Sequence, residues 1–194
     1  MKNLLLASVL FVTAGAAVAE PVDYVIDSGH SQILFSYEHL GFSTTYGMFS
    51  GFEGTIEFDA DDPANSAVSV SFPASSMLTG WEQRLQHFMS ADFFNAAEDD
   101  RVSFVSTGIE VTGEDAANIT GDLTMNGTTK SVVLLTTLNA SGKHPMAGKE
   151  WLGFDASATV LRSDFGLGAY APAVSDEVEI MISIEAGVAK EDAS

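Results

Sequence analysis

The sequence predicts an all-β domain: an antiparallel closed barrel of about eight strands, with one short helix after the early strands. Three observations carry this expectation. Apolar residues recur mostly with period two, as in strands that turn alternate residues toward a core. Clusters of Gly, Asn, Asp, Ser and Pro separate these runs at short intervals. One segment alone switches to helical spacing.

The chain begins with Lys2, an uncharged apolar stretch from Leu4 to Ala16, and Ala17-Val18-Ala19 before Glu20. This is the charged start, short apolar middle and small-residue cleavage site of an export signal, so residues 1–19 are expected to be removed and 20–194 to form one domain. The stretch is shorter than the roughly 20 apolar residues a membrane anchor needs. The first strand has Ile33, Phe35 and Tyr37 on one face, alternating with Leu34, Ser36 and Glu38. Further strands are expected over Gly54 to Asp59, Ala67 to Phe72, Val102 to Val111, Ile119 to Met125, Val132 to Leu138, Leu152 to Leu161 and Val178 to Ile184. Turns are expected at residues 61–66, 112–115, Asn126-Gly127 and Ser141-Gly142-Lys143. Asn126-Gly127 is the strongest hairpin signal, because both central positions of a type I′ turn need positive φ.

The helical interruption follows Thr79-Gly80-Trp81-Glu82, which has the spacing of a capping box, and Trp81, Leu85, Phe88 and Met89 then share one face. Ser90 to Phe94 reads as a second helical turn with Phe93 and Phe94 directed at the core. About eight antiparallel strands without free edges close into a barrel, which is either filled by side chains or holds a small ligand. An outer-membrane barrel is the rival, but such barrels usually finish in an aromatic strand, whereas this chain ends in the polar, frayed-looking Lys190-Glu191-Asp192-Ala193-Ser194.

Composition narrows the function. Without Lys2, seven basic residues face 27 acidic ones, a formal charge of −20. Such a surface repels phosphate backbones and anionic headgroups, so no nucleic-acid partner and no stable membrane insertion are expected. With no Cys, thiolate nucleophiles, thiolate metal sites and disulfides are excluded. An acyl-hydrolase elbow, a phosphate-cradling loop before a helix and a His-Glu-x-x-His helix are all missing from the sequence. Nothing in the spacing of the carboxylates selects a glycosidase pair. Asp155, flanked by Phe154 and Ala156, reads as a partly buried carboxylate, either a hydrogen-bonded structural group or a catalyst. No catalytic residue, metal ligand or cofactor is assigned. The four histidines, His30, His39, His87 and His144, lack metal-ligand spacing, His30 and His39 have no obvious carboxylate at a fixed spacing, and His144 reads as a solvated loop residue.

The ordered polar marks of the chain carry a resemblance. Tyr24-Val25-Ile26-Asp27, His30-Ser31, Phe35, His39, Gly47-x-Phe49 and Gly54-x-Ile56-x-Phe58-Asp59 are followed by Arg84-x-x-His87 and Ser90-x-Asp92-Phe93-Phe94. Phe104, Gly121 to Gly127 and Arg162-x-Asp164-Phe165-Gly166 complete the pattern, which over about Val22 to Ile184 resembles the YceI family of periplasmic proteins. The chain departs from the family at Leu85, where relatives often have an acidic residue, and at Asn95, where they often have Asp. The resemblance implies a periplasmic, lipocalin-like barrel whose interior takes an amphiphile such as a polyisoprenoid, an isoprenoid quinone or a fatty amide.

The residues are compatible with a carrier. An aromatic cavity holds an alkyl chain by area burial alone, at about 0.8 kcal/mol per CH₂. The candidate lining is Ile33, Phe35, Tyr37, Phe49, Phe72, Phe88, Phe93, Phe104 and Phe165, with Trp81 at the head of the helix; packed core is the competing reading of the same stripe. His39, Arg84 and His87 are expected at the mouth, either orienting a headgroup or tying helix to barrel. Arg162 beside Asp164 reads as an ion pair fixing a loop, or as a clamp on a phosphate or amide oxygen. The expected activity is therefore transport or sequestration without catalysis. The alternatives are a module presenting an isoprenoid quinone to a redox partner, and a filled structural or stress-protective barrel. A homodimer is left open.

Overall fold

The computed structural model describes residues 20–97 and 99–189. The export signal expected over residues 1–19 and the tail from Lys190 lie outside the described residues. In chain order the elements are β1 (Val22–Ile26), β2 (Gln32–His39), β3 (Ser43–Phe49), β4 (Glu53–Phe58), β5 (Ala67–Pro73), α1 (Glu82–Met89), β6 (Arg101–Val111), β7 (Ala116–Met125), β8 (Thr128–Lys143), β9 (Glu150–Leu161) and β10 (Glu177–Val188). Short 3₁₀ turns occupy Pro63–Asn65, Ala74–Ser76 and Arg162–Phe165.

Eight strands close an antiparallel ring, β1-β4-β5-β6-β7-β8-β9-β10 and back to β1. The β2–β3 hairpin joins that ring by strand pairing with β10, and Met48 bridges to Leu78 beside it. Closure works because β10 is long enough to serve two partners: Glu179 to Ser183 pair with β2, and Ala186 to Val188 pair with β1. At the handover Asp27 N–H donates to the Glu185 carbonyl at 2.8 Å, and Glu185 N–H donates to Ser31 Oγ at 3.2 Å. No backbone edge is left open at that seam.

Two strands carry no clear signal in the sequence. β1 is only five residues long, and the inward residues of β3 include Ser43, Thr45 and Gly47, too polar or small to mark an apolar face. Two other expectations need correction. Ser141-Gly142-Lys143 is not a turn: β8 runs through it to Lys143, and the reversal falls at residues 144–149. Thr79 does not cap the helix, since α1 begins three residues later with Trp81 as its N-cap and no side-chain cap. Thr79 Oγ1 instead bonds both the N–H and the carbonyl of Trp81, holding the turn before the helix. The Asn126-Gly127 hairpin forms as expected, with φ of 51° and 70° joining Met125 to Thr128. Residues 91–94 form a hydrogen-bonded turn, Phe93 N–H donating to the Ser90 carbonyl at 3.1 Å, and direct Phe93 and Phe94 inward.

A β-bulge at Ser106/Gly108 keeps the apolar residues of β6 facing inward on both sides of it. Before it Val102 and Phe104 point to the interior; after it Ile109 and Val111 do. One extra residue thus corrects the parity that a regular strand would have reversed. The packed core lies at the barrel's sides and ends. Ile26, Phe35, Phe49, Phe52, Phe72, Met77 and Val102 form one cluster near α1, Tyr24, Ile56, Leu152 and Ala186 a second at the seam, and Val160, Phe165 and Leu167 a third under the Arg162 turn.

Candidate functional site

The interior is hollow. A cavity of about 1120 Å³ extends from α1 and the β2–β3 tip to the loops at residues 63–66 and 113–116. Its emptiness follows from the unequal sizes of facing side chains. On the β2, β3, β5 and β6 side the inward residues include Phe35, Phe49, Phe72 and Phe104, but across the barrel they include Ala117, Thr136, Ala156 and Ala158. Small residues on one wall leave space that the aromatics of the other do not reach.

The aromatic wall is closely packed. Phe49 stands 5.4 Å from Phe35 and 5.0 Å from Phe72, centroid to centroid, and Phe52 continues the row 4.8 Å from Phe72. Two glycines make this possible: a Cβ at Gly47 would collide with the Phe35 ring, and one at Gly121 with the Phe104 ring. Each ring therefore lies flat over a neighbouring strand, as cross-strand neighbours on one face can.

At the helix end the walls become mixed. Tyr37 packs edge-on to Phe88 at 6.1 Å, Phe88 to Phe93 at 5.3 Å, and the His87 ring lies between Phe93 and Tyr170 at 5.1 and 6.0 Å. His87 Nε2 is 3.2 Å from Asp92 Oδ2. Arg84 donates from Nη1 to the Thr79 carbonyl at 3.1 Å and lies over the Trp81 ring at 5.7 Å. Among the described residues no carboxylate is within 4.0 Å of the Arg84 guanidinium. The polar bonds of Arg84 and His87 stay within their own segment, so aromatic packing and not a polar network joins α1 to the barrel.

Of the residues expected to line a pocket, Ile33, Phe35, Tyr37, His39, Phe49, Phe72, Trp81, Arg84, His87, Phe88, Phe93 and Phe104 all border this cavity. Phe165 does not. It is 1% exposed beneath the Arg162 turn, packed with Val160 and Leu167, and its carbonyl accepts from Asn126 Nδ2 at 2.9 Å. The aliphatic wall, including Val70, Ile119, Leu134, Val178, Ile180 and Ile182, was not singled out from the sequence, although strand parity marks every one of them.

Arg162 is not paired with Asp164. It is 8% exposed and donates to the carbonyls of Leu167, Ala169, Val174 and Ser175, stitching residues 166–175 into one loop. Burial draws its guanidinium below the ordinary arginine value, opposed by the charge of Asp176. Asp176 in turn is held below the usual carboxylate value, chiefly by the Ser163 hydroxyl at 2.6 Å. Asp164 lies 3.8 Å from Lys130. Asp155 points out of the barrel and accepts from Ser183 Oγ at 2.7 Å, so it is a surface hydrogen-bonding group and not a buried carboxylate. His144 is half-buried, its ring accepting from the N–H groups of Met146 and Ala147 and packing on Trp151.

His30 does have a carboxylate neighbour. Its Nδ1 lies 2.8 Å from Asp27 Oδ2, with Glu185 close by, and this trio sits at the seam outside the cavity lining. Glu185 Oε2 accepts from Trp151 Nε1 at 2.8 Å. Loop 27–31 is tied to β10 by Asp27 N–H on the Glu185 carbonyl and by Ser31 Oγ, which accepts from Glu185 N–H, while the Asp27–His30 pair closes the loop on itself.

The comparisons agree with this architecture. The YceI-like domain matches residues 24–186. Protein YceI of Escherichia coli is 40% identical over 187 residues, which cover 95% of both chains. A crystal structure of the Campylobacter jejuni YCEI protein superposes with a TM-score of 0.70 at 28% identity, covering 79% of this chain and 90% of that one. A structure from Saccharophagus degradans described as a polyisoprenoid binding domain shares the fold, with a TM-score of 0.66 at 12% identity over 87% of this chain and 99% of that one.

Proposed function

The chain belongs to the YceI-like family, and from that premise we propose that it is a periplasmic carrier holding a long apolar amphiphile inside its barrel. The ligand class is a polyisoprenoid, an isoprenoid quinone or a fatty amide, bound without covalent chemistry. The observation that carries the proposal is the cavity of about 1120 Å³, walled by Phe, Ile, Leu, Val and Ala along the barrel and polar only near its ends. That volume exceeds the roughly 300–1,000 Å³ of ordinary small-molecule sites, as an extended chain requires. Burying ten methylenes contributes about 8 kcal/mol before ordering costs. The polyisoprenoid description of the Saccharophagus degradans domain supports the same ligand class by analogy of fold. In this reading His39, Arg84 and His87, which border the cavity, register a polar head.

The direct test is native mass spectrometry, with solvent extraction, on protein purified from its own periplasm without detergent. The expected result is a stoichiometric apolar adduct, and a quinone absorbance band would identify the quinone class. A clean apo mass together with no uptake of added isoprenoids would overturn the proposal. Phe35→Asp places a carboxylate on the aromatic wall and is expected to abolish retention in a protein that still folds; unchanged retention would remove Phe35 from the site.

A further inference from the structure

The helix-side mouth carries a feature that lining a pocket does not explain. Among the described non-glycine residues, four have positive φ: Leu40 (55°), Asn95 (44°), Asn126 (51°) and Tyr170 (65°). Asn tolerates this region, whereas for bulky Leu and Tyr it is strained. Burial does not offset that strain, because Leu40 is 51% and Tyr170 58% exposed. Both residues nevertheless border the cavity. Their loops are tied together, Leu40 N–H donating to the Ala173 carbonyl and Val174 N–H to that of Tyr170. Beside them Phe42, at the β2–β3 tip, is 90% exposed, and Trp81 is 57% exposed.

We infer that this mouth docks on the surface of a zwitterionic phospholipid bilayer, with Leu40, Phe42, Trp81 and Tyr170 entering the headgroup layer. The inference takes from the carrier reading only the nature of what passes through the mouth. Single exposed apolar residues are ordinary, but a group of four at one end of an apolar cavity, two of them on strained backbones and three of them lining it, is not. Leu40, Trp81 and Tyr170 line the cavity and meet solvent at once, so an apolar path runs unbroken from the rim inward. Trp and Tyr are the side chains that settle at the membrane–water boundary.

Charge selects both the end and the lipid. The helix-side lining includes His39, Arg84 and His87, and the opposite end has Glu114 and Asp115. The acidic groups of the helix segment are engaged locally, Glu82 by Gln86 and Asp92 by His87. Phosphate oxygens are therefore met most favourably at the helix end. The net charge of −19 on the full sequence disfavours anionic leaflets, which leaves a neutral headgroup layer as the matching surface. Docking through four side chains is peripheral and reversible, distinct from insertion.

The test is co-sedimentation of the purified exported protein with sucrose-loaded phosphatidylcholine vesicles, alongside uptake of a polyisoprenol delivered from cyclodextrin. The parent protein is expected to sediment with the vesicles, Phe42→Asp to bind them about tenfold or more weakly, and anionic lipid to weaken both. Phe42 does not line the cavity, so uptake from cyclodextrin is expected to be equal in parent and variant. A parent that takes up polyisoprenol but ignores vesicles would overturn the docking and leave the carrier reading intact. A parent that sediments with vesicles but takes up no polyisoprenol would sink the carrier reading and keep the docking. If Phe42→Asp converts a dimer to a monomer by light scattering without changing vesicle recovery, the rim is an interface between two copies and the inference fails.

Discussion

At the seam where β1 meets β10, Leu152 and Ala186 are fully buried and Tyr24 and Ile56 pack on them, whereas at the helix-side mouth Leu40, Phe42, Trp81 and Tyr170 stand more than half exposed. At the seam burial raises the Tyr24 hydroxyl above its ordinary value. At the mouth, the rings from Tyr37 to Tyr170 pack edge to face along the rim of the cavity, and two bulky residues keep strained backbones. The difference separates two kinds of apolar surface in one small barrel. One is complementary to itself, and the other is complementary to something outside the chain.

The two arginines repeat the contrast. Arg162 is enclosed by four carbonyls, while Arg84 makes one backbone bond and covers a Trp ring. The largest expected effect is therefore at Arg162. Arg162→Met leaves those carbonyls without their donor and should lower unfolding free energy by about 4 kcal/mol or more in urea titrations. A loss below about 1 kcal/mol would show that the loop is held by other contacts. Next is Leu152→Ala, expected to cost about 2–5 kcal/mol while bound lipid remains, because the cavity at the seam is new and lies off the ligand path. Arg84→Met should change stability by less than about 1 kcal/mol and show itself instead as weaker retention of amphiphiles with polar heads.

The smallest effect is one of pH at the seam. The His30 side-chain hydrogen bond is the main cause holding Asp27 below its ordinary value, and the same bond holds His30 above its own. The Asp27 contribution is present above its unfolded value of about 3.9 and is lost as pH falls through its lowered folded value. That of His30 is complete below about 6.5 and disappears as pH rises through its raised folded value. Amide exchange of residues 29–31, corrected for intrinsic rates, should thus be slowest between about pH 4 and 6.5, and Asp27→Asn should flatten the profile.

Much of this was legible in the chain. Period-two runs located eight strands because each buries one face, and Asn126-Gly127 marked a hairpin because its turn demands two left-handed residues. Phe35, Phe49, Phe72 and Phe104 were readable as an inward wall for the same reason. β3 was not, since a strand facing a cavity with Ser43, Thr45 and Gly47 carries no apolar alternation. Thr79 and Glu82 showed the right spacing for a cap, but the hydroxyl was taken by Trp81. Phe165 followed an aromatic pattern and still went elsewhere, because a 3₁₀ turn has no strand parity to aim its side chains.

By itself the sequence determined that the chain is an antiparallel barrel and which residues of its apolar strands alternate inward, both of which depend on neighbours a few positions away, whereas the place of β1 in the ring and of the β2–β3 hairpin outside it came from long-range pairing. Only the tertiary structure decided that the barrel is hollow, that Arg162 serves four carbonyls and not Asp164, and that Leu40 and Tyr170 meet at one strained mouth. These depend on distances between residues far apart in the chain: the Phe104 ring needs Gly121, the aromatic wall needs Ala156 and Ala158 opposite it, and the Leu40 turn needs the Ala173 carbonyl. Local periodicity sets which way a side chain points, and long-range packing sets what it finds there.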